Sequence, residues 1–442
     1  MAVGVSVSAA VGRRMRRVAA RIGRLPMFLL LLALGLAGCH APAQDTVVRF
    51  WAMGREGEVV TELLPEFERT HPGVRVVVQQ LPWSAAHEKL LTAFAGDATP
   101  DVCQLGNTWI PEFAALNALD PLDGRVAASP SIAIADYFGG IWDTNVVDGV
   151  LLGVPWYVDT RLLFYRRDLL LRAGFAAPPR TWDEWTRMLA AVKADAGPGR
   201  FAIALPANEP EPLLALALQQ DDPLLRDHDG RGNFRSAGFR RALAYYASMF
   251  RQGFAPPMAN AEVSNIWNEF GRGYFSFYVS GPWNIGEFRR RLPADLQPSW
   301  MTAPLPGPDG PGASIAGGAS LVVFRASRHK EAAWQLVTYL SQPAVQQRFH
   351  ALTGDLPPRR SAWTGGSLAD DVYARAFREQ LERVKPTPKV PEWERIATEI
   401  RLVAERLAHG ELGVDEAAAE LDRRADRLLE KRRWLLARDG VS

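Results

Sequence analysis

The sequence predicts an α/β fold divided into two lobes, and three observations carry that prediction. Residues 47–105 alternate strand-like and helix-like patterns in the order β-α-β-α-β, which argues for a parallel sheet covered by helices on both faces. The chain is 442 residues long, more than one hydrophobic core organises. Its composition is 48% hydrophobic and 23% charged, with no low-complexity tract and no repeat at solenoid spacing, so packed domains must absorb that length.

The first segment stands apart from this pattern. Arg13, Arg14, Arg16, Arg17, Arg21 and Arg24 precede an apolar run from Met27 to Leu36, and Ala37 and Gly38 lead into Cys39. That run is about half of the roughly 20 residues a membrane-spanning helix needs. It resembles a bacterial lipoprotein signal, in which the cysteine thiolate is alkylated with diacylglycerol and the preceding residues are removed. On this reading residues 1–38 are a signal peptide, and residues 39–45 form a lipid-tethered linker reaching about 20 Å when extended. The protein is then a membrane-anchored lipoprotein facing the periplasm. His40 follows the cysteine and leaves open which membrane holds the anchor. Of the 51 Lys and Arg residues six precede Cys39, whereas no acid does, so the rest of the chain carries 45 against 49 Asp and Glu, a balance of −4. Nucleic-acid binding, which needs a concentrated basic surface, is thereby disfavoured. Cys103 has no partner left for an intramolecular disulfide, and within the apolar run Val102 to Leu105 it is expected to be buried.

The elements follow in order. Val47 to Ala52 reads as a strand, and Val59, Val60, Leu63, Leu64 and Phe67 recur at helical spacing until His71-Pro72-Gly73 stops the helix. Val74 to Gln80 is β-branched again, a second helix runs from about Ala85 to Ala95, and Gly96 to Asp101 turns into the run at Val102. In such a sheet ligands sit beyond the strands' carboxyl ends, which singles out the loops Met53 to Gly57 and Gly106 to Pro111. Leu162 to Tyr165 is strand-like. Thr181 and Glu184 have capping-box spacing for a helix to about Asp195. Helical patterns recur at Ala237 to Phe250, Lys330 to Leu340 and Ala344 to Leu352, and strands at Tyr274 to Val279 and Ser320 to Phe324. Beyond about Asp370 the pattern is helical throughout, with Gly410 closing the stretch from Trp393 to His409 and Asp415 expected to cap the last helix. A long, nearly uncharged loop from Pro304 to Gly318 delivers the chain into a strand.

Several segments, in their order and spacing, together resemble one family. They are Phe50-Trp51 to Gly54; Phe94 to Gly96-Asp97 and Pro100-Asp101-Val102; Gly153-Val154-Pro155 to Leu163-Phe164-Tyr165; and Ala173-Gly174-Phe175 to Thr181-Trp182-Asp183-Glu184. Phe270-Gly271-Arg272, Ser280-Gly281-Pro282-Trp283, Glu331 to Trp334 and Gly354-Asp355-Leu356-Pro357 complete the set. The chain resembles the extracellular solute-binding proteins of carbohydrate ABC transporters, the maltose-binding-protein-like group. The resemblance implies the two-lobe periplasmic-binding-protein fold of type II, hinged so that the lobes close on a sugar. It implies lobe 1 from 46–158 plus 304–352 and lobe 2 from 159–303 plus 353–442. It also implies a monomeric receptor that hands its sugar to ABC permease subunits.

Carried over residue by residue, the resemblance implies that the first lobe contributes Arg55 and Glu56 after the first strand and Asn107, Thr108 and Trp109 after the third. Trp156 and Asp159 lie near the crossing between lobes. The second lobe adds Glu209 or Glu211, Trp283 and Trp393, while Gly317 and Gly318 allow close backbone approach to the ligand; Trp83 and Arg359 are further candidates. Thr108 and Trp109 stand where that group commonly has an acidic and a basic residue, which leaves the sugar open. Maltose or trehalose is the favoured class, with glycerol 3-phosphate as the alternative despite the lack of an extra basic cluster.

The chemistry fits a sugar site, since a sugar ring offers an apolar C–H face and a rim of hydroxyls that suit aromatic plates and polar side chains. Many of the 14 Trp lie in loops or turns, whereas Trp51, Trp185 and Trp334 lie in periodic patterns and are expected in the core. Asp159 with Glu209 could in principle form a hydrolytic carboxylate pair. Other catalytic signatures, such as His-Glu-x-x-His or Gly-x-Ser-x-Gly, do not occur. The seven His show no metal-ligand spacing. Reversible binding without enzyme activity, metal or cofactor is the expectation.

Overall fold

The computed structural model describes Met1 and residues 45–258 and 265–438. The expected signal peptide and Cys39 lie outside the described residues, and Val47–Ser442 form one compact unit. Two sheets organise this unit. The first has five strands, in the order Val74–Leu81, Thr46–Met53, Val102–Gly106, Gly317–Val323, Val154–Asp159. Thr46–Met53 and Val102–Gly106 run parallel, with Phe50 opposite Val102, as the β-α-β-α-β pattern requires. Gly317–Val323 is antiparallel to both of its neighbours. The second sheet orders Trp300–Ala303, Leu162–Arg166, Phe277–Ser280 and Ile203–Ala204, antiparallel except for the last pair.

Each sheet owns a core. Val48, Phe50, Val102, Trp156, Leu321 and the helix Lys330–Leu340 pack around the first. Leu163, Phe277, Trp185 from the helix Trp182–Ala196, and the helices Ala237–Arg251 and Trp393–Ala408 pack around the second. Trp51, Trp185 and Trp334 are buried, and so is Cys103, whose thiol burial pushes above its ordinary pKa. The capping box forms as expected: Glu184 N donates to Thr181 Oγ1 at 3.2 Å and Thr181 N donates back to Glu184 Oε2 at 3.3 Å.

Two expectations are corrected. The cap of Val414–Leu428 is Gly413, not Asp415; Gly413 N donates to Glu416 Oε2 at 2.9 Å, so the acid three residues on stabilises the turn. The region beyond Asp370 is not wholly helical, because Val384–Lys385 pairs in parallel with Ser314–Ile315, which requires extended backbone on both sides. Leu305 and Ile315 are buried in the second sheet's core, and the chain enters the first sheet at Gly317.

The sheets are joined most directly where Val154–Asp159 passes through Thr160 and Arg161 into Leu162–Arg166. Beside this crossing Gly317 pairs with Asp159 and Gly318 with Val158. A Cβ on Gly317 would meet the Asp159 carbonyl oxygen at 2.6 Å. On Gly318, whose φ is +127°, it would meet the Tyr157 carbonyl oxygen and, at 2.9 Å, Val158 Cα. The two glycines therefore permit close approach of strand to strand, in addition to any approach of a ligand. Gly318→Ala is expected to lower stability by about 1–3 kcal/mol in urea titration. Gly124→Ala, at a glycine with open space around its added Cβ, is expected to stay within about 0.5 kcal/mol. Equal effects of the two changes would show that the crossing tolerates a side chain.

Candidate functional site

The joint between the sheets opens on a cavity of about 440 Å³. Its wall is built from eight separate places in the chain. From the first strand's carboxyl end comes Glu56; from the helix Trp83–Ala95, which follows the strand Val74–Leu81, comes Trp83; from the third strand's end come Gly106, Asn107, Thr108 and Trp109. The crossing supplies Tyr157, Val158, Asp159, Thr160 and Arg161, and the returning strand Gly317 and Gly318. Glu211, Pro282, Trp283, Ile315 and Asp355 complete it. The loops singled out for following parallel strands thus open onto the cavity, as the strand-end rule requires.

Aromatic plates and acids alternate around the wall. Trp283 opens the helix Trp283–Arg291 directly after Gly281-Pro282, so its indole is 41% exposed instead of packed. Trp83 is 37% exposed and meets Trp109 edge-on at 5.6 Å, and His87 meets Trp109 at 5.0 Å while bonding Glu112 at 2.6 Å. Among the described residues Arg161 is the one basic residue in the wall. It donates to Asp159 at 2.6 Å, lies 3.8 Å from both Glu209 and Glu211, and stacks its guanidinium 4.8 Å from the Trp283 ring. Burial alone lowers the pKa of this guanidinium; the charges of Asp159, Glu211 and Glu209 outweigh burial and raise it.

The wall also holds a carboxyl pair, Glu56 and Asp355, whose charges act on each other beside Tyr157 and Trp83. Burial raises the pKa of Glu56, and burial with the Glu56 charge pushes Asp355 well above the usual carboxylate range. Two adjoining, partly buried carboxyls raise each other's pKa because both cannot ionise cheaply. Tyr157 is fixed from behind: Gln104 Nε2 donates to its hydroxyl at 3.1 Å, and Gln104 Oε1 accepts from Met53 N at 2.7 Å. Asn107 Nδ2 donates to the Ala316 carbonyl at 2.9 Å, tying the third strand's loop to the returning chain.

Of the residues that the sequence singled out, the cavity gathers Glu56, Trp83, Asn107, Thr108, Trp109, Asp159, Glu211, Trp283, Gly317 and Gly318. Glu209 is not in the wall and joins the site through Arg161. Four others lie elsewhere. Trp156 is 1% exposed and stacks on Phe349 at 4.4 Å within the first core; strand alternation turns Tyr157, not its neighbour, to the cavity. Trp393 is buried in the second core, on a helix that packs against Asn107–Trp109. Arg359 is buried against Asp136 at 2.7 Å and the carbonyls of Ser131 and Ser341, pinning loops together. Arg55 is exposed, 3.9 Å from Glu58 and bonded to the Leu352 carbonyl. Tyr157, Arg161 and Asp355 were missed. The Gly-Asp-Leu-Pro segment was the one signal pointing at Asp355, and nothing local marked Arg161.

Two sheets joined by short crossovers around a cleft define a two-lobe binding fold, and the comparisons agree. The chain belongs to the bacterial extracellular solute-binding protein family, which matches residues 53–347. The solved structure of the sugar-binding protein MalE from Xanthomonas citri is 60% identical, superposes with a TM-score of 0.87, and covers 89% of this chain and 99% of its own. The GacH receptor of Streptomyces glaucescens, solved without ligand and with acarbose, is 26% identical with a TM-score of 0.74, over 87% of this chain and 99% of its own. A lipoprotein of Streptomyces antibioticus is 28% identical over 85% of this chain and 86% of its own. Like its family the protein binds a solute and is not an enzyme; Asp159 and Glu209 both face one guanidinium instead of flanking an open space.

The carboxyl pair makes stability depend on pH. A folded-state pKa raised above the unfolded one means the folded chain holds its proton longer, so stability falls as pH climbs from the ordinary carboxylate range toward the folded value. Asp355→Asn removes that titration. Its melting temperature is expected to exceed the parent's at pH 8, with the gap closing toward pH 4. A gap independent of pH would show that the two carboxyls do not raise each other's pKa.

Proposed function

We propose that the protein is the receptor of an ABC importer for an uncharged di- or oligosaccharide, with an α-glucoside of the maltose or trehalose type as the favoured ligand. The observation that carries this reading is the pairing of exposed indoles, Trp283 and Trp83, with hydrogen-bonding acids around one cavity between the sheets. The indoles suit the C–H faces of sugar rings, and Asp159, Glu211 and the Glu56–Asp355 pair suit the hydroxyl rim. The 60% identical sugar-binding MalE supports a carbohydrate, and the acarbose-bound GacH receptor supports an oligosaccharide of the glucoside kind. A phosphorylated solute is disfavoured, since four carboxyl groups line the wall and its single guanidinium already faces three acids.

Binding is reversible and has no covalent step. The sugar bridges the two walls and stabilises the closed arrangement through contacts that only that arrangement completes, and a permease reads the closed form. The resemblance of Arg13 to Cys39 to a lipoprotein signal, with a lipoprotein among the relatives, supports tethering through diacylglycerol on Cys39. Such a tether keeps the receptor beside its transporter.

Calorimetry of the chain from Gln44 onward, against maltose, trehalose, maltotriose and glycerol 3-phosphate, tests the reading. Micromolar binding of at least one glucoside, about −8 kcal/mol, is expected, and heat from none of the sugars would overturn it. Trp283→Ala is expected to weaken that binding at least about tenfold, the scale of losing one well-packed aromatic contact, with circular dichroism unchanged. Unchanged affinity would remove Trp283 from the site.

A further inference from the structure

The C-terminal helices carry a surface that sugar capture does not use. Val414–Leu428 continues into Glu430–Arg438 through Leu429, whose N–H bonds the Ala425 carbonyl at 2.9 Å and whose carbonyl accepts from Arg433 N at 3.0 Å. Helical periodicity therefore runs across the join. One face is fixed to the second lobe: Leu421, Ala425 and Leu429 are buried, and Arg433 donates to the Gly230 carbonyl at 3.0 Å. The opposite face is solvent. Arg423, Arg427, Lys431, Trp434 and Arg438, all exposed, are spaced four, four, three and four residues apart, which confines them to about 80° of arc.

The composition of that face is unlike an ordinary solvated helix. Its exposed residues from 423 to 438 are four cations, Trp434, Ala437 and a single acid, Glu430. Trp434 is 60% exposed, the highest value among the exposed large hydrophobic residues after Met1, and Arg438 stacks 5.1 Å from its ring. An exposed indole with a guanidinium over its ring, on a face of cations, is poorly placed for a protein core. It is well placed at the boundary between water and lipid headgroups, where the ring has an apolar body and a polar edge and the cations meet phosphates. Among the described residues no helix is long and apolar enough to cross a membrane, so such contact would be peripheral.

We infer that this stripe is a membrane-docking face that lies flat on an anionic phospholipid surface, with Trp434 seated among the headgroups. Charge complementarity selects the occupant: a straight row of cations matches a surface dense in phosphate, and each Lys or Arg near such a surface adds to attraction that salt screens. The face lies outside the sugar cavity, so docking leaves the site free and sets which way the receptor sits on its membrane.

The test uses the chain from Gln44 onward, which contains the compact unit and every core cluster. It is sedimented with vesicles of phosphatidylglycerol and phosphatidylcholine in equal parts, and with phosphatidylcholine alone. Binding to the anionic vesicles at low salt is expected, with a blue shift of tryptophan emission, release at high salt and little binding to the neutral vesicles. The pair Arg427→Glu with Lys431→Glu is expected to reduce vesicle partitioning at least about tenfold, and Trp434→Ala to reduce it and abolish the blue shift. Sugar affinity and circular dichroism are expected to stay at the parent's values in both. Absence of binding at low salt, equal binding to neutral vesicles, or variants that bind like the parent would overturn the inference. So would a Trp434-dependent dimer in analytical ultracentrifugation, which would make the face a contact between copies.

Discussion

Arg161 is the interaction on which the site depends. It stands at the shortest connection between the two sheets, directly before Leu162–Arg166, and its guanidinium is almost wholly withdrawn from water. A buried cation is tolerable only with counter-charges around it, because desolvation costs several kcal/mol that nearby anions must offset. Here Asp159 from the first sheet's last strand and Glu209 and Glu211 from the second lobe supply them, while Trp283 covers one face of the plane. One side chain thus orients acids from both sides of the joint and holds an indole open to the cavity. Ser314 Oγ donates to the Arg161 carbonyl at 2.7 Å, so the returning chain is tied to the same residue.

The far wall works by the opposite device. Instead of a charge with counter-charges, two acids, Glu56 and Asp355, stand beside each other, and burial with their mutual charge raises both pKa values. A carboxyl that keeps its proton can donate as well as accept. Tyr157 and Gln104 hold this pair from the sheet, and the Gln104 bond to Met53 N carries the restraint into the first strand. The cavity therefore presents fixed dipoles with few side chains left to order on binding, and less conformational entropy is lost when a ligand arrives.

The residues show how far local pattern reaches. Trp283 was legible because a proline at a helix start puts its neighbour at an exposed first turn, a constraint that acts within a few residues. Trp156 and Trp393 were read as cleft residues and lie in the cores, while Tyr157 beside the first turns to the cavity. In a strand the side chain reverses with every residue and in a helix it rotates by 100°, so an error of one position exchanges core for site. The strand pairing of Val384–Lys385 escaped the sequence for a related reason. A long uncharged loop carries no local sign that residues 314 and 315 will pair with 384 and 385.

By itself the sequence determined the α/β alternation around a parallel start, the burial of Cys103 and of Trp51, Trp185 and Trp334, the capping box at Thr181 and the loops that open onto the cavity. Each of these rests on periodicity or on backbone preference between residues close in the chain. The tertiary structure alone decided the Arg161 cluster, the pairing of Glu56 with Asp355, and the strand-to-strand role of Gly317 and Gly318. These rest on groups far apart in sequence brought close together, where burial and counter-charge set the outcome, and neither can be read from spacing along the chain.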